Sequence, residues 1–219
     1  MDYKSVWNKL STNRRDAVIH VAGYDDEALL HEAAVGTVSC LDELVGVRPT
    51  DTILEIGCGV GRVASVLAPR VQAWIGCDVS TNMLEHARER LKLRPNTRLV
   101  EISGYDLSPI ADASVDVVYC TVVFMHLEEW DRWEYVREAF RVLKPGGRFW
   151  VDNMSLCTDD GWALFLEVSK TNPPGKRPPH ISRASTPDEL TTYFRRAGFG
   201  SIQTRNRLLW VDAWGVKPA

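Results

Sequence analysis

Nothing in the 219 residues is long and apolar enough to cross a membrane: the longest run without charge or proline, Val117 to Leu127, falls well short of the ~20 residues a helical span needs. The opening stretch MDYKSVWNKLSTNRR lacks an apolar segment, so a cleaved secretory leader is not expected. Cysteine is sparse. Cys40, Cys58, Cys77, Cys120 and Cys157 are odd in number and form no C-x-x-C pair, which argues against a disulfide framework and a zinc ribbon. They read as reduced thiols of a cytoplasmic protein. Charge of one sign is also lacking: 26 basic residues face 29 acidic ones, a net charge of −3. That balance makes nucleic acid an unexpected partner, since a polyanion-binding domain carries a basic face. Internal repeats and low-complexity tracts are missing too. What is present is a chain that is 45% hydrophobic, enough for one large core, and disordered or collagen-like classes are excluded.

Apolar spacing alternates between two periods along the chain. Asp25-Asp26-Glu27 opens a helix whose apolar residues Leu30, Ala33, Ala34, Val38, Leu41 and Val45 keep close to helical spacing, with the acids at its positive end. Asp51 to Ile56 reads as a buried strand running into glycines, and Val71 to Cys77 as a second. Ser80 is an N-cap for a helix through Leu84 and Leu91. Arg98 to Ile102 and Val115 to Cys120 are further strands, followed by a helix closed by Lys144-Pro145-Gly146-Gly147 and a strand at Arg148 to Asp152. Thr186-Pro187-Asp188-Glu189 starts a late helix, with a cap, a proline at the first helical position and a glutamate three residues on. Ile202 to Val216 makes two closing strands. Such alternation predicts an α/β fold with a mainly parallel sheet, helices on both faces, and a ligand beyond the carboxyl ends of the strands. Thr171 to Ser185 fits no regular element: it has four prolines, three Lys/Arg residues, one His and no acid.

The strongest signal is Glu55-Ile56-Gly57-Cys58-Gly59-Val60-Gly61-Arg62, between a strand and a helix. Its glycines permit a tight turn and bring the backbone close to a ligand. Arg62 stands where a dinucleotide fingerprint has its third glycine, and no Gly-Lys-Ser/Thr follows as in a P-loop. Asp78, 17 residues after Gly61 at the end of the next strand, suits hydrogen bonds to two ribose hydroxyls.

Four segments, ILEIGCGVGR at 53–62, GCDVS at 76–80, DVVYCTVVFMHL at 116–127 and RVLKPGGRFWVDN at 141–153, resemble the ordered motifs of class I S-adenosylmethionine-dependent methyltransferases. The nearest group is the small-molecule set termed methyltransferase type 11. The resemblance is good over about 45–155 and holds in outline elsewhere. It implies a Rossmann-like seven-stranded sheet of order 3-2-1-4-5-7-6, strand 7 antiparallel, with S-adenosylmethionine as cofactor and S-adenosylhomocysteine as product. It also implies one domain over 1–219: an N-terminal helical cover (1–46), a cofactor-binding core (47–155), a substrate or lid insertion (156–185), and a last helix with closing strands (186–219). By position, Gly57, Cys58, Gly59 and Gly61 would line the methionine and ribose, with Arg62 grouped beside them. Glu55 would face the methionyl ammonium, directly or through water, Asp78 the ribose, Val79 and Met83 the adenine, and Cys120 and Thr121 the methionyl group through backbone atoms. Ser103 replaces an acid common in the family, which shifts the adenine contact to Gly104, Tyr105 or Asp106.

Methyl transfer needs an aligned nucleophile, and a hydroxyl or ammonium acceptor must also lose a proton. His126, past the fourth strand, is the candidate base; the alternative is that it orients the next helix. Tyr3, Trp7, Tyr24, His126, Asn153 and His180 are the candidate substrate residues, and Trp162 is a further aromatic near the pocket. His20, His31 and His86 read as surface or packing residues, and Trp130, Trp133 and Trp210 as core. Asn172-Pro173-Pro174 resembles a nucleic-acid amino-methyltransferase signature but lies beyond the wrong strand and lacks its aromatic. No metal constellation is visible. The expectation is a small-molecule methyltransferase, monomeric or homodimeric, acting at oxygen or nitrogen, with Tyr3 to Tyr24 and Thr171 to Ser185 as a lid. The alternatives are a nucleic-acid or protein methyltransferase, or a non-catalytic cofactor-binding regulator.

Overall fold

The computed structural model describes residues 2–219. Three helices, α1 (Tyr3–Leu10), α2 (Arg14–Ala22) and α3 (Glu27–Leu44), precede the sheet. The core then alternates β1 (Thr52–Ile56), α4 (Arg62–Leu67), β2 (Ala73–Asp78), α5 (Thr81–Arg90), β3 (Thr97–Glu101), β4 (Val115–Cys120), α6 (Glu129–Val142) and β5 (Leu143–Ser155). The chain ends with α7 (Asp159–Thr171), β6 (Ala184–Ser185), α8 (Pro187–Ala197), β7 (Gly200–Arg207) and β8 (Trp210–Val216). Strand order is β3-β2-β1-β4-β5-β8-β7, and β8 runs antiparallel to both neighbours. The short β6 pairs with β5 off this path, so the sheet has eight strands where the sequence implied seven, with the same order otherwise.

Local chemistry accounts for the boundaries. Asp26 caps α3 by accepting from Ala28 and Leu29, Ser80 caps α5 through Met83, and Thr186 caps α8 through Glu189, with Pro187 at its first position. The period of two along the strands sorts side chains to opposite faces. Leu54, Ile56, Val118, Cys120, Phe149 and Val151 meet Tyr135, Val136, Leu190 and Phe194 of α6 and α8 on one side. Ile53, Trp74, Val117, Tyr119 and Trp150 meet Leu41, Val63 and Leu67 of α3 and α4 on the other.

Three local expectations are corrected. The Lys144-Pro145-Gly146-Gly147 run does not sit between helix and strand: α6 ends at Val142 and β5 starts at Leu143, absorbing the run through a register shift against β4. Thr171 to Ser185 is not irregular throughout: Thr171 ends α7, which Thr158 caps by accepting from Gly161, and Ala184–Ser185 form β6. Trp130 is 75% exposed, not core, because it sits in the first turn of α6 on its outer side; Trp133 and Trp210 are half-buried.

Candidate functional site

Beyond the carboxyl ends of β1, β2 and β4 lies a cleft of about 780 Å³. It sits where strand order reverses between β1 and β4, the position at which open α/β sheets take ligands. Its floor is the turn after β1. Gly57 and Gly59 have φ of +73° and +50°, in the left-handed region. A Cβ on Gly57 would lie 2.3 Å from Val123 Cγ2, and one on Gly59 2.8 Å from Val21 Cγ2. The glycines therefore let the loop after β4 and helix α2 close onto the turn.

Two buried carboxylates end adjacent strands. Asp78 accepts the Gly59 N–H at 2.8 Å through one oxygen and the Ser80 N–H at 2.9 Å through the other. Burial pushes it up to about 6 despite those bonds. Glu55, at the end of β1, is pushed up to about 8 by burial, partly opposed by the Tyr119 hydroxyl, which donates to it, and by the nearby Arg62 guanidinium. Tyr119 in turn accepts from Trp74 Nε1 at 3.2 Å. Arg62 is buried and donates to Thr37 Oγ1 at 3.2 Å.

The far wall comes from distant segments. Tyr3, Trp7, His20 and Val21 of α1 and α2 line the cleft opposite Thr121, Val122, Val123, His126 and Leu127. Helix α1 is fastened to the start of α5, where Asn8 Oδ1 accepts from Ser80 Oγ at 2.8 Å and its carbonyl accepts from Asn82 at 3.0 Å. Trp7 meets the His126 ring edge-on at 4.9 Å. Val122 has φ of +60°, a strained conformation for a β-branched residue. Its N–H donates to the buried Asp152 Oδ1 at 2.7 Å, and Arg207 links Asp152 to Asp212 of β8.

Among the sequence candidates, the cleft wall contains Glu55, Gly57, Cys58, Gly59, Arg62, Asp78, Val79, Met83, Gly104, Thr121, Tyr3, Trp7 and His126. Seven others stand outside it, each for a visible reason. Gly61 caps α4 and packs towards Ala87 and Leu91. Cys120 points into the core beneath the sheet. Tyr105 is 40% exposed and leans on Tyr3 from outside at 5.5 Å. Tyr24 donates to the Leu29 carbonyl at 3.2 Å. Asn153 is fully buried and donates to Ser185 Oγ at 2.7 Å, fastening β6 to β5. His180 offers its backbone carbonyl to His126 Nδ1 at 2.9 Å, while its ring is not part of the wall. Trp162 is half-exposed on α7, stacked on Phe165. Sequence reasoning missed His20: α2 has no clear amphipathic stripe, and only docking of that helix brings the ring to the cleft. Among the described residues no group of three or more His, Cys, Asp or Glu is arranged for a metal ion, and no helix is long and apolar enough to cross a membrane.

A glycine turn at the switch point, an acid ending β2 and an antiparallel β8 define a class I methyltransferase fold. A family model described as a methyltransferase domain, of type 11, matches residues 54–151. The chain is 31% identical over 184 residues to a 27-O-demethylrifamycin SV methyltransferase of Amycolatopsis mediterranei, covering 82% of this chain and 65% of that one. It is 31% identical over 201 residues to a demethylmenaquinone methyltransferase of Symbiobacterium thermophilum, covering 77% and 75%. A solved S-adenosylmethionine-dependent methyltransferase of Thermotoga maritima superposes with a TM-score of 0.68 at 22% identity, over 91% of this chain and 98% of that one, which shows the shared fold. The chain belongs to the S-adenosylmethionine-dependent methyltransferase family. It spans 38–65% of the length of the first four curated relatives it matches.

Proposed function

We propose that the chain is a methyltransferase that moves the methyl group of S-adenosylmethionine to a small molecule, at oxygen or nitrogen. The observation that carries this reading is the glycine turn of 57–61 facing the Asp78 carboxylate in one cleft. The residues present fit the cofactor. Asp78 is placed to accept from ribose hydroxyls, and its pKa near 6 leaves it mostly ionised at neutral pH. Glu55 holds a buried carboxyl where the methionyl ammonium would lie, and Arg62 supplies the opposite charge for the methionyl carboxylate. Val79, Met83 and Ile102 give an apolar wall for adenine.

The bound cofactor supplies a methyl group on a sulfonium, an excellent leaving group. The chain's share is then to orient the acceptor, exclude water and take up a proton. Trp7, Val21, Val123 and Leu127 close the acceptor side with apolar surface. That closure favours an in-line approach, the largest contribution a protein can make to such a displacement. Relatives named for rifamycin and menaquinone precursors support a small-molecule acceptor. The five unpaired cysteines accord with a reducing, cytoplasmic setting.

Calorimetry with S-adenosylmethionine, S-adenosylhomocysteine and NAD tests the cofactor; binding of NAD alone would refute it. Tritium transfer into metabolite, RNA and protein fractions tests the acceptor class. Label confined to macromolecules refutes a small molecule, and label nowhere favours a binding protein. The N-terminal cover is tested by deleting residues 1–20. Turnover should collapse while the sheet stays folded, and normal turnover would remove the lid from this reading.

A further inference from the structure

Two imidazoles line the acceptor side of the cleft, His20 from α2 and His126 from the segment after β4. Each is pinned at Nδ1 by a backbone carbonyl: His20 by Asp16 at 2.8 Å and His126 by His180 at 2.9 Å. A carbonyl can only accept, so both rings carry their proton on Nδ1 and keep a lone pair on Nε2. In the neutral ring that leaves Nε2 of each histidine as the proton acceptor. Among the described lining residues the carboxylates are Glu55 and Asp78, both on the cofactor side, so the acceptor side offers no carboxylate to pair with an ammonium. Trp7, Val21, Val123 and Leu127 complete an uncharged wall around the two rings.

We propose that the acceptor is a neutral hydroxyl compound, a phenol or alcohol, and that His20 is the base that takes its proton while His126 orients the O–H. This rests on the methyltransferase reading above. The acceptor oxygen bonds to the methyl carbon as the carbon–sulfur bond breaks with its electron pair staying on sulfur, and the hydroxyl proton passes to His20 Nε2. A neutral amine attacks with its own lone pair and sheds its proton afterwards, whereas a hydroxyl must lose its proton as it attacks, which is the step a paired acceptor serves. The two rings divide the work by environment. His126 is half-buried beside Trp7, and burial holds it down to about 4, partly opposed by the His180 carbonyl that accepts from its Nδ1. It accepts a hydrogen bond and stays neutral. His20 is half-exposed on α2 and can pass a proton to solvent.

The test uses the whole chain with labelled S-adenosylmethionine and a panel of ring-substituted phenols of graded acidity, aliphatic alcohols, and matched anilines and alkylamines. Label should enter hydroxyl compounds. His20→Ala and His20→Gln should each lower kcat on weakly acidic phenols by about 100-fold or more, with little change on 4-nitrophenol, which is already ionised. Imidazole added to His20→Ala should restore part of the rate, and both variants should bind S-adenosylhomocysteine within twofold of the parent. Label entering only amines, or no member of the panel, overturns the acceptor class. Full activity of His20→Gln, or a loss that is equal for all phenols and unmoved by imidazole, overturns the role of His20. Failure to bind S-adenosylhomocysteine at all would instead refute the methyltransferase reading itself.

Discussion

At the cofactor end of the cleft, the Gly59 amide meets Asp78 across 19 residues of chain, and both lie at the carboxyl ends of neighbouring parallel strands. At the acceptor end, Trp7 meets a histidine 119 positions away, and that histidine is held by the carbonyl of a loop a further 54 positions on. One end is built from consecutive backbone, the other from side chains delivered by separate docking events. A site of the first kind tolerates little change in its own residues and is indifferent to remote ones. A site of the second kind depends on how α1, α2 and the proline-rich loop are seated.

The largest break in that contrast should come from Gly57→Ala. The new Cβ meets Val123 in a backbone conformation that alanine adopts poorly, so a stability loss of about 2–4 kcal/mol and abolished cofactor binding are expected in thermal unfolding and calorimetry. Asp152→Ala strikes the joint between the two ends. It leaves the Val122 N–H without its buried acceptor and releases a strained residue, at about 2–3 kcal/mol of stability. Val122→Gly on that background should restore part of the lost stability, since glycine adopts the same φ without strain. Asp78→Ala should weaken S-adenosylhomocysteine binding by about 1–3 kcal/mol through lost charge-assisted hydrogen bonds.

A smaller effect follows from protonation. Burial raises Asp78 to about 6, Asp152 to about 7 and Glu55 to about 8, all above their unfolded values. Raised acids give stability that is fully present below the unfolded pKa and is lost as pH climbs through the folded one. The ligand-free protein should therefore lose stability between pH 5 and 8, as measured by urea unfolding. Glu55→Gln should flatten the upper part of that decline by about 1–2 kcal/mol. The smallest change is expected from His180→Ala, within about 0.5 kcal/mol of the parent in stability and unchanged in cofactor binding, because His126 uses the backbone carbonyl and not the ring.

The same division decided what could be read in the chain beforehand. Glu55, the glycines and Asp78 were legible because strand, turn and acid follow one another, and short-range spacing reports short-range geometry. The strand order was legible for the same reason, apart from β6, whose two residues are held on β5 by side chains remote in sequence, Asn153 and Arg132. Asn153 has the right position in the motif series, but the alternation of side chains along β5 and local packing turn it into the protein. His20 carries no local signal, since its place is set by Asn8 seating α1 on α5 and by Val21 closing on Gly59. Helix α7 was hidden because its neighbours are prolines and its outer face is apolar, with Trp162 and Leu166 exposed.

The line of hydrogen bonds from Trp74 through Tyr119 to Glu55 carries a consequence for spectroscopy. Trp74 is fully buried, and Trp150 stacks on the same tyrosine with ring centres 6.5 Å apart. An indole in so fixed an environment emits at a wavelength set by the local field, and the nearest variable charge in that field is the Glu55 carboxyl. Ionisation of Glu55, or arrival of a cation beside it, therefore changes the colour of Trp74 without any label. The difference spectrum between the parent and Trp74→Phe isolates that emission from the other seven tryptophans of the chain. The sheet interior thereby doubles as an optical gauge of the charge at the methionyl end of the cleft.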